Sequence, residues 1–169
     1  MEYYINNLTL TKKGDSRMIM YGKWSMLFGN YKGKIFDYKG NELFLIKKKI
    51  NIWKLKVNYF ITDKWGKSLE IYGKNKKHSI YVLKIDENIF ELKLHKGNKK
   101  SLFYNNTQIA AIDEAIFLGK TTIITKSLEY LSEIFLMLFC LKIGENNKGI
   151  TFNFGYIGKM EPIDLNWKP

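Results

Sequence analysis

Cysteine, proline, arginine and histidine are all scarce in this 169-residue chain, and each shortage removes a class of explanation. A lone cysteine, Cys140, cannot form an intramolecular disulfide, which suits a reduced, cytoplasmic setting. With only two histidines, His78 and His95, neither a metal site nor a cofactor site has an obvious set of ligands, and none is expected. Two prolines, and no Pro- or Ser-rich tract, leave no linker, so residues 1–169 read as one domain. No apolar run approaches the roughly 20 residues of a membrane-spanning helix. The opening Met1 to Lys13 lacks a charged-then-apolar leader. Gly-rich phosphate loops, a GxSxG elbow and an HExxH helix are missing as well.

What the chain has in excess is lysine. The formal net charge is +12, and of 28 basic residues only Arg17 is an arginine. A strongly basic surface points to nucleic acid or an anionic membrane. Arginine's planar fork makes the bidentate contacts of base and phosphate recognition, however, whereas lysine is a hydrated point charge. The abundance of Ile and Asn beside lysine also suits an AT-rich coding bias, which accounts for part of the excess. Hydrophobic residues make up 46% of the chain and aromatics 15%, which excludes a disordered polymer.

Strand patterns recur at close spacing. In Trp53-Lys-Leu-Lys-Val-Asn-Tyr-Phe-Ile61, residues Trp53, Leu55, Val57, Tyr59 and Ile61 share one face, and Lys54, Lys56 and Asn58 the other. Phe90 to His95 repeats this, with Phe90, Leu92 and Leu94 inward and Glu91, Lys93 and His95 outward. Further strands are expected at Leu43–Lys48, Ser68–Tyr72, Ser79–Ile85 and Leu102–Tyr104, and at Met18–Phe28, Lys34–Tyr38, Thr107–Ile112 and Thr121–Ile124. Turns at Tyr38–Asn41, Asp63–Gly66, Lys96–Lys99 and Tyr104–Thr107 supply Gly or Asn where a positive φ is needed, implying antiparallel hairpins.

One segment breaks the alternation. From Ile134 to Leu141 eight consecutive residues are apolar, within a helix expected over about 128–143. Ser127 is placed to cap its start, Lys142 and Gly144 to close its end. A helix apolar on every side must be enclosed. It is too short to span a bilayer, so the strands must enclose it, giving a mainly β barrel or strongly curved sheet around one helix. After it, Ile150–Tyr156 reads as a closing strand and residues 157–169 as a tail.

Gly40-Asn-Glu-Leu-Phe-Leu-Ile-Lys-Lys-Lys49, the aromatic-x-Ile-x-Asp-x-x-Gly turn within Tyr59–Ile71, and Ile109-Ala-Ala-Ile112 ahead of the apolar helix resemble the tubby C-terminal-like superfamily, particularly its LURP-one-related and phospholipid-scramblase-like branches. The likeness runs from about Lys34 to Ile143. It implies a closed antiparallel barrel of about twelve strands threaded by a hydrophobic helix. The acidic calcium-binding segment, cysteine cluster and terminal span of authentic scramblases are missing, so lipid scrambling is not implied. Tubby itself binds phosphoinositides through basic residues.

No residue reads as catalytic. Cys140 lies in the most apolar part of the helix and reads as a small hydrophobe. Asp113 and Glu114 are adjacent on a strand and point to opposite faces, which prevents joint acid–base work. The lysine clusters carry the functional expectation: a non-enzymatic module that associates reversibly with anionic partners, phosphorylated lipid headgroups or a membrane surface first. The binding candidates are Lys47, Lys49, Lys74, Lys76, Lys77, Lys99 and Lys100, with Trp65 as an interfacial anchor. On a barrel, alternate hairpin tips share an end, so these groups can form one rim. Lysine-rich turns also keep sheet edges soluble without binding anything. Single-stranded nucleic-acid binding and a protein-interaction module with no small ligand are the alternatives.

Overall fold

The computed structural model describes residues 1–51, 56–76, 79–115 and 120–144. Twelve antiparallel strands close into a barrel: β1 (Glu2–Asn6), β2 (Thr9–Lys12), β3 (Met18–Leu27), β4 (Asn30–Asp37), β5 (Glu42–Asn51), β6 (Lys56–Asp63), β7 (Ser68–Gly73), β8 (Ile80–Ile85), β9 (Asn88–Leu94), β10 (Lys99–Tyr104), β11 (Thr107–Ala115) and β12 (Lys120–Thr125). Each pairs with its sequence neighbours, and β1 pairs with β12 (Tyr3 opposite Ile123) to complete the ring. Closure removes the open sheet edges that a meander otherwise leaves.

The helix, α1 (Leu131–Lys142), fills the barrel. Residues Ile134 through Cys140 are all buried, and seven consecutive positions cover nearly two full turns, so every side of the helix is covered. Val57, Tyr59 and Ile61 of β6, and Phe90, Leu92 and Leu94 of β9, form part of the wall around it, as their alternation requires. The fit is closest at two glycines. A Cβ built on Gly22 of β3 would lie 2.2 Å from the Phe139 ring, and one on Gly33 of β4 would lie 2.6 Å from Ile143. The wall carries no side chain where the helix is bulkiest.

Several details differ from the sequence reading. The helix starts at Leu131, with Tyr130 at the N-cap and no side-chain cap; the Ser127 hydroxyl instead accepts the Glu129 N–H (3.1 Å) in the preceding turn. Tyr130 leaves the helix axis to pack on Tyr104 (centroids 4.5 Å) and Phe90 (5.7 Å), which explains the later start. Gly144 has φ +87°, the left-handed conformation expected there. The sequence pattern does not mark strands β1 and β2. They are short, and their two-residue turn is Asn7-Leu8, both at positive φ, with leucine where Asn or Gly is the usual signal. His95 keeps the outward side of the alternation, its ring 2.7 Å from Ser101 Oγ on the outer side of β10, but it is buried (3% exposed) where a wet face was expected. Trp53, His78, the closing strand at Ile150–Tyr156 and the tail at 157–169 lie outside the described residues.

Candidate anion-binding end

In an antiparallel ring the connections alternate between the two ends. The proximal end, where α1 begins, holds the β2–β3, β4–β5, β6–β7, β8–β9 and β10–β11 turns. The distal end, where α1 finishes, holds the β1–β2, β3–β4, β7–β8 and β9–β10 turns, together with the end of β5 and the start of β6.

Turn chemistry gives the ends different charge. At the proximal end, Asp37 and Asp63 organise equivalent turns. Asp37 Oδ1 accepts the N–H groups of Lys39 and Asn41 (both 2.8 Å), and Asp63 Oδ1 accepts those of Trp65 (2.9 Å) and Lys67 (2.8 Å). Hydrogen bonds from Asn41 hold the Asp37 carboxyl below its usual range. Asp15 is held lower still, at about 2, by the Arg17 guanidinium. Asp86 and Glu87 turn β8 into β9, and Asp86 pairs with Lys67 at 2.5 Å. Cations and carboxylates are therefore interleaved here.

The distal turns run through Asn7-Leu8, Phe28-Gly29, Lys74-Asn75-Lys76 and Lys96-Gly97-Asn98, with no carboxylate among these described turn residues. The three lysine clusters picked out in the sequence all reach this end. Lys47 and Lys49 point outward from β5, with Lys49 over the half-exposed ring of Phe60 (5.0 Å). Lys76 is exposed beside β7, and Lys99 is exposed on β10, opposite Asp113 of β11. Lys74 is exposed too, but Glu91 forms an ion pair with it. Lys77 lies outside the described residues.

Lys100 does not belong to that surface. It is 2% exposed and pairs with Glu114 at 2.6 Å. Alternation along β10 sends Lys99 out and Lys100 in, and Lys142 of α1 approaches the same carboxylate at 3.6 Å. Lys48 likewise points inward between Lys47 and Lys49. Its ammonium donates to the Ile143 carbonyl (2.5 Å) and lies 5.5 Å from the Tyr31 ring centroid, closing the C-terminal end of the helix. Trp65 is 80% exposed at the proximal end, away from the lysine clusters, so it cannot anchor their face.

Other chemistry is poorly provided for. Cys140 is fully buried, and desolvation pushes its thiol well above the ordinary range, opposing thiolate formation. Among the described residues no three of His, Cys, Asp and Glu are grouped to hold a metal, and no helix is long and apolar enough to cross a membrane. A cavity of about 20 Å³ near the end of α1, lined by Ile5, Leu8, Phe139, Glu114 and Lys142 among others, has room for about one water molecule. The chain matches no family model, no curated protein and no solved structure.

Proposed function

We propose that the protein is a non-enzymatic binding module whose distal end docks reversibly on anionic partners, phosphorylated lipid headgroups and membrane surface first. The observation that carries this reading is the polarity of the barrel. Outward lysines gather at the end whose described turns lack carboxylates, while the opposite end mixes both signs. Lys47, Lys49, Lys76 and Lys99 are the principal contacts, with Lys74 shared with Glu91. Each lysine near an anionic bilayer contributes on the order of 1 kcal/mol, so a handful produces salt-sensitive, reversible adsorption. We propose kinship with the tubby-like superfamily on the same footing. The quoted pieces fall at the β4–β5 turn with β5, across the β6–β7 hairpin, and in β11 ahead of the central helix.

Vesicle sedimentation tests the function. The protein is expected to pellet with vesicles containing anionic lipid, to stay in solution with neutral ones, and to be released by salt. Reversing Lys47, Lys49, Lys76 and Lys99 to Glu is expected to abolish binding while leaving the thermal midpoint nearly unchanged. Equal binding to neutral vesicles, or full retention by the reversed variant, refutes the assignment. Tighter binding to single-stranded oligonucleotides than to vesicles would move it to nucleic acid.

A further inference from the structure

At the distal rim the β3–β4 hairpin rises well above the β1–β2 hairpin on one side, while β5 runs beside it to Asn51 on the other. The hydrogen bond from Gly22 N–H to Leu8 C=O (2.8 Å) is the last that joins β3 to the β1–β2 hairpin among the described residues. Beyond it, Lys23 through Leu27 pair only with β4, carrying the tip about 17 Å further along the strand direction. At that tip Met26 is 56% exposed, Leu27 68% and Phe28 94%.

The turn residue is unusual on conformational grounds. Leu27 faces Asn30 across a two-residue loop, and both loop residues, Phe28 (φ +49°) and Gly29 (φ +76°), lie in the left-handed region. Such a turn favours Asn-Gly, because a bulky side chain at positive φ is strained. Here a phenylalanine occupies the strained position with its ring in water. Among the described residues no core packing rewards that placement, and the ring is 94% exposed.

Below the tip, the outer wall is cationic. Lys23 lies directly opposite Lys34, and Lys32 directly opposite Lys47, although like charges in such pairs repel. Glu42 relieves Lys34 at 2.7 Å; Lys23, Lys32 and Lys47 have no ion pair among the described residues. An apolar tip above a belt of lysines matches the layering of an anionic bilayer, with hydrocarbon beyond charged headgroups. A nucleic acid would satisfy the lysines but not Met26 and Leu27. An apolar protein groove would satisfy the tip but not the belt.

We propose that Met26-Leu27-Phe28 is a membrane-inserting wedge: the tip enters the headgroup–acyl boundary of an anionic bilayer while Lys23, Lys32 and Lys47 stay among the headgroups. The inference rests on the membrane-docking reading above and adds to it a depth, an orientation and a nonpolar contribution that salt does not screen.

The test uses the full chain with vesicles of phosphatidylcholine alone or with phosphatidylserine. Phe28→Cys is labelled with an environment-sensitive nitrobenzoxadiazole dye; Cys140 is buried and stays unlabelled in the folded protein. With serine-containing vesicles the dye emission is expected to shift to the blue and to be quenched by lipids spin-labelled high on the acyl chain. In the unlabelled protein, M26S/L27S/F28S is expected to bind on the order of 10- to 100-fold more weakly, with the remaining binding removed by salt. Its melting temperature should hold, since the tip is surrounded by solvent. A dye that stays water-exposed on pelleted protein, or a serine variant that binds as well as the parent, overturns the wedge and leaves electrostatic docking standing. Failure of the parent to bind any anionic vesicle removes both. Loss of dimerisation in the serine variant, without any effect of vesicles, reassigns the tip to self-association.

Discussion

Single side chains here are read best by asking which way alternation turns them. Lys47, Lys48 and Lys49 are identical in composition, yet the outer two face solvent and the middle one closes the helix at the Ile143 carbonyl. Lys99 and Lys100 divide the same way, and the inward member is held by Glu114. The sequence shows a basic cluster in each case but not the partner across the barrel, so Lys100 is misread as surface while its neighbour is read correctly. Phe28 was legible only as the end of a strand, because the cost of its conformation depends on the turn geometry. Gly22 is the most exacting position. Gly22→Ala would press a methyl group into the Phe139 ring, and this outweighs the roughly 0.4–1 kcal/mol that alanine gains by restricting the unfolded chain. We expect a loss of about 1–3 kcal/mol in chemical denaturation, partly recovered by adding Phe139→Leu. An unchanged midpoint in the single variant would mean that the ring moves aside freely.

At the level of elements, the link between helix and wall is electrostatic at one end and aromatic at the other. Tyr130, Tyr104 and Phe90 close the proximal side, and the Lys100–Glu114–Lys142 group ties α1 to β10 and β11 at the distal side. Removing one member of a buried ion pair strands the other, which costs about 3–5 kcal/mol. Lys100→Met is therefore expected to destabilise strongly, and Lys100→Met with Glu114→Gln substantially less. A double-mutant cycle by urea denaturation gives the coupling, and additive single effects would show that the pair is not coupled. Strand identities were readable where the period of two is clean, as in β6 and β9, and the helix where an apolar run too long for the alternation breaks it, as in α1. They were lost where elements are short and their turns atypical, as in β1 and β2.

For the whole molecule, the enclosed apolar rod was legible as a requirement before any strand pairing was known, because a helix apolar on all sides cannot face water. The twelve-strand closure followed from the family likeness, not from residue patterns, and the ends of the barrel became distinguishable only with the strand order. Stability should fall in alkali. Burial pushes the Tyr81 phenol up to about 12, whereas in the unfolded chain it titrates near 10. Between those values the unfolded form has released a proton that the folded form retains, so unfolding gains ground as pH rises. Denaturation midpoints are expected to be level between about pH 6 and 8, to begin falling where the unfolded thiol of Cys140 ionises, and to decline further from about pH 10 toward pH 12, with a shallower decline over that upper range in Tyr81→Phe; equal slopes there in both proteins would place the sensitivity elsewhere. Pairing of β1 with β12 has a further outcome during synthesis. The ribosome delivers the first stave of the cask before the other eleven and its oily filling after all twelve, so the vessel can be neither hooped nor sealed until β12 and α1 have been made. Until that rod emerges the polypeptide must gape, its inward faces open to water.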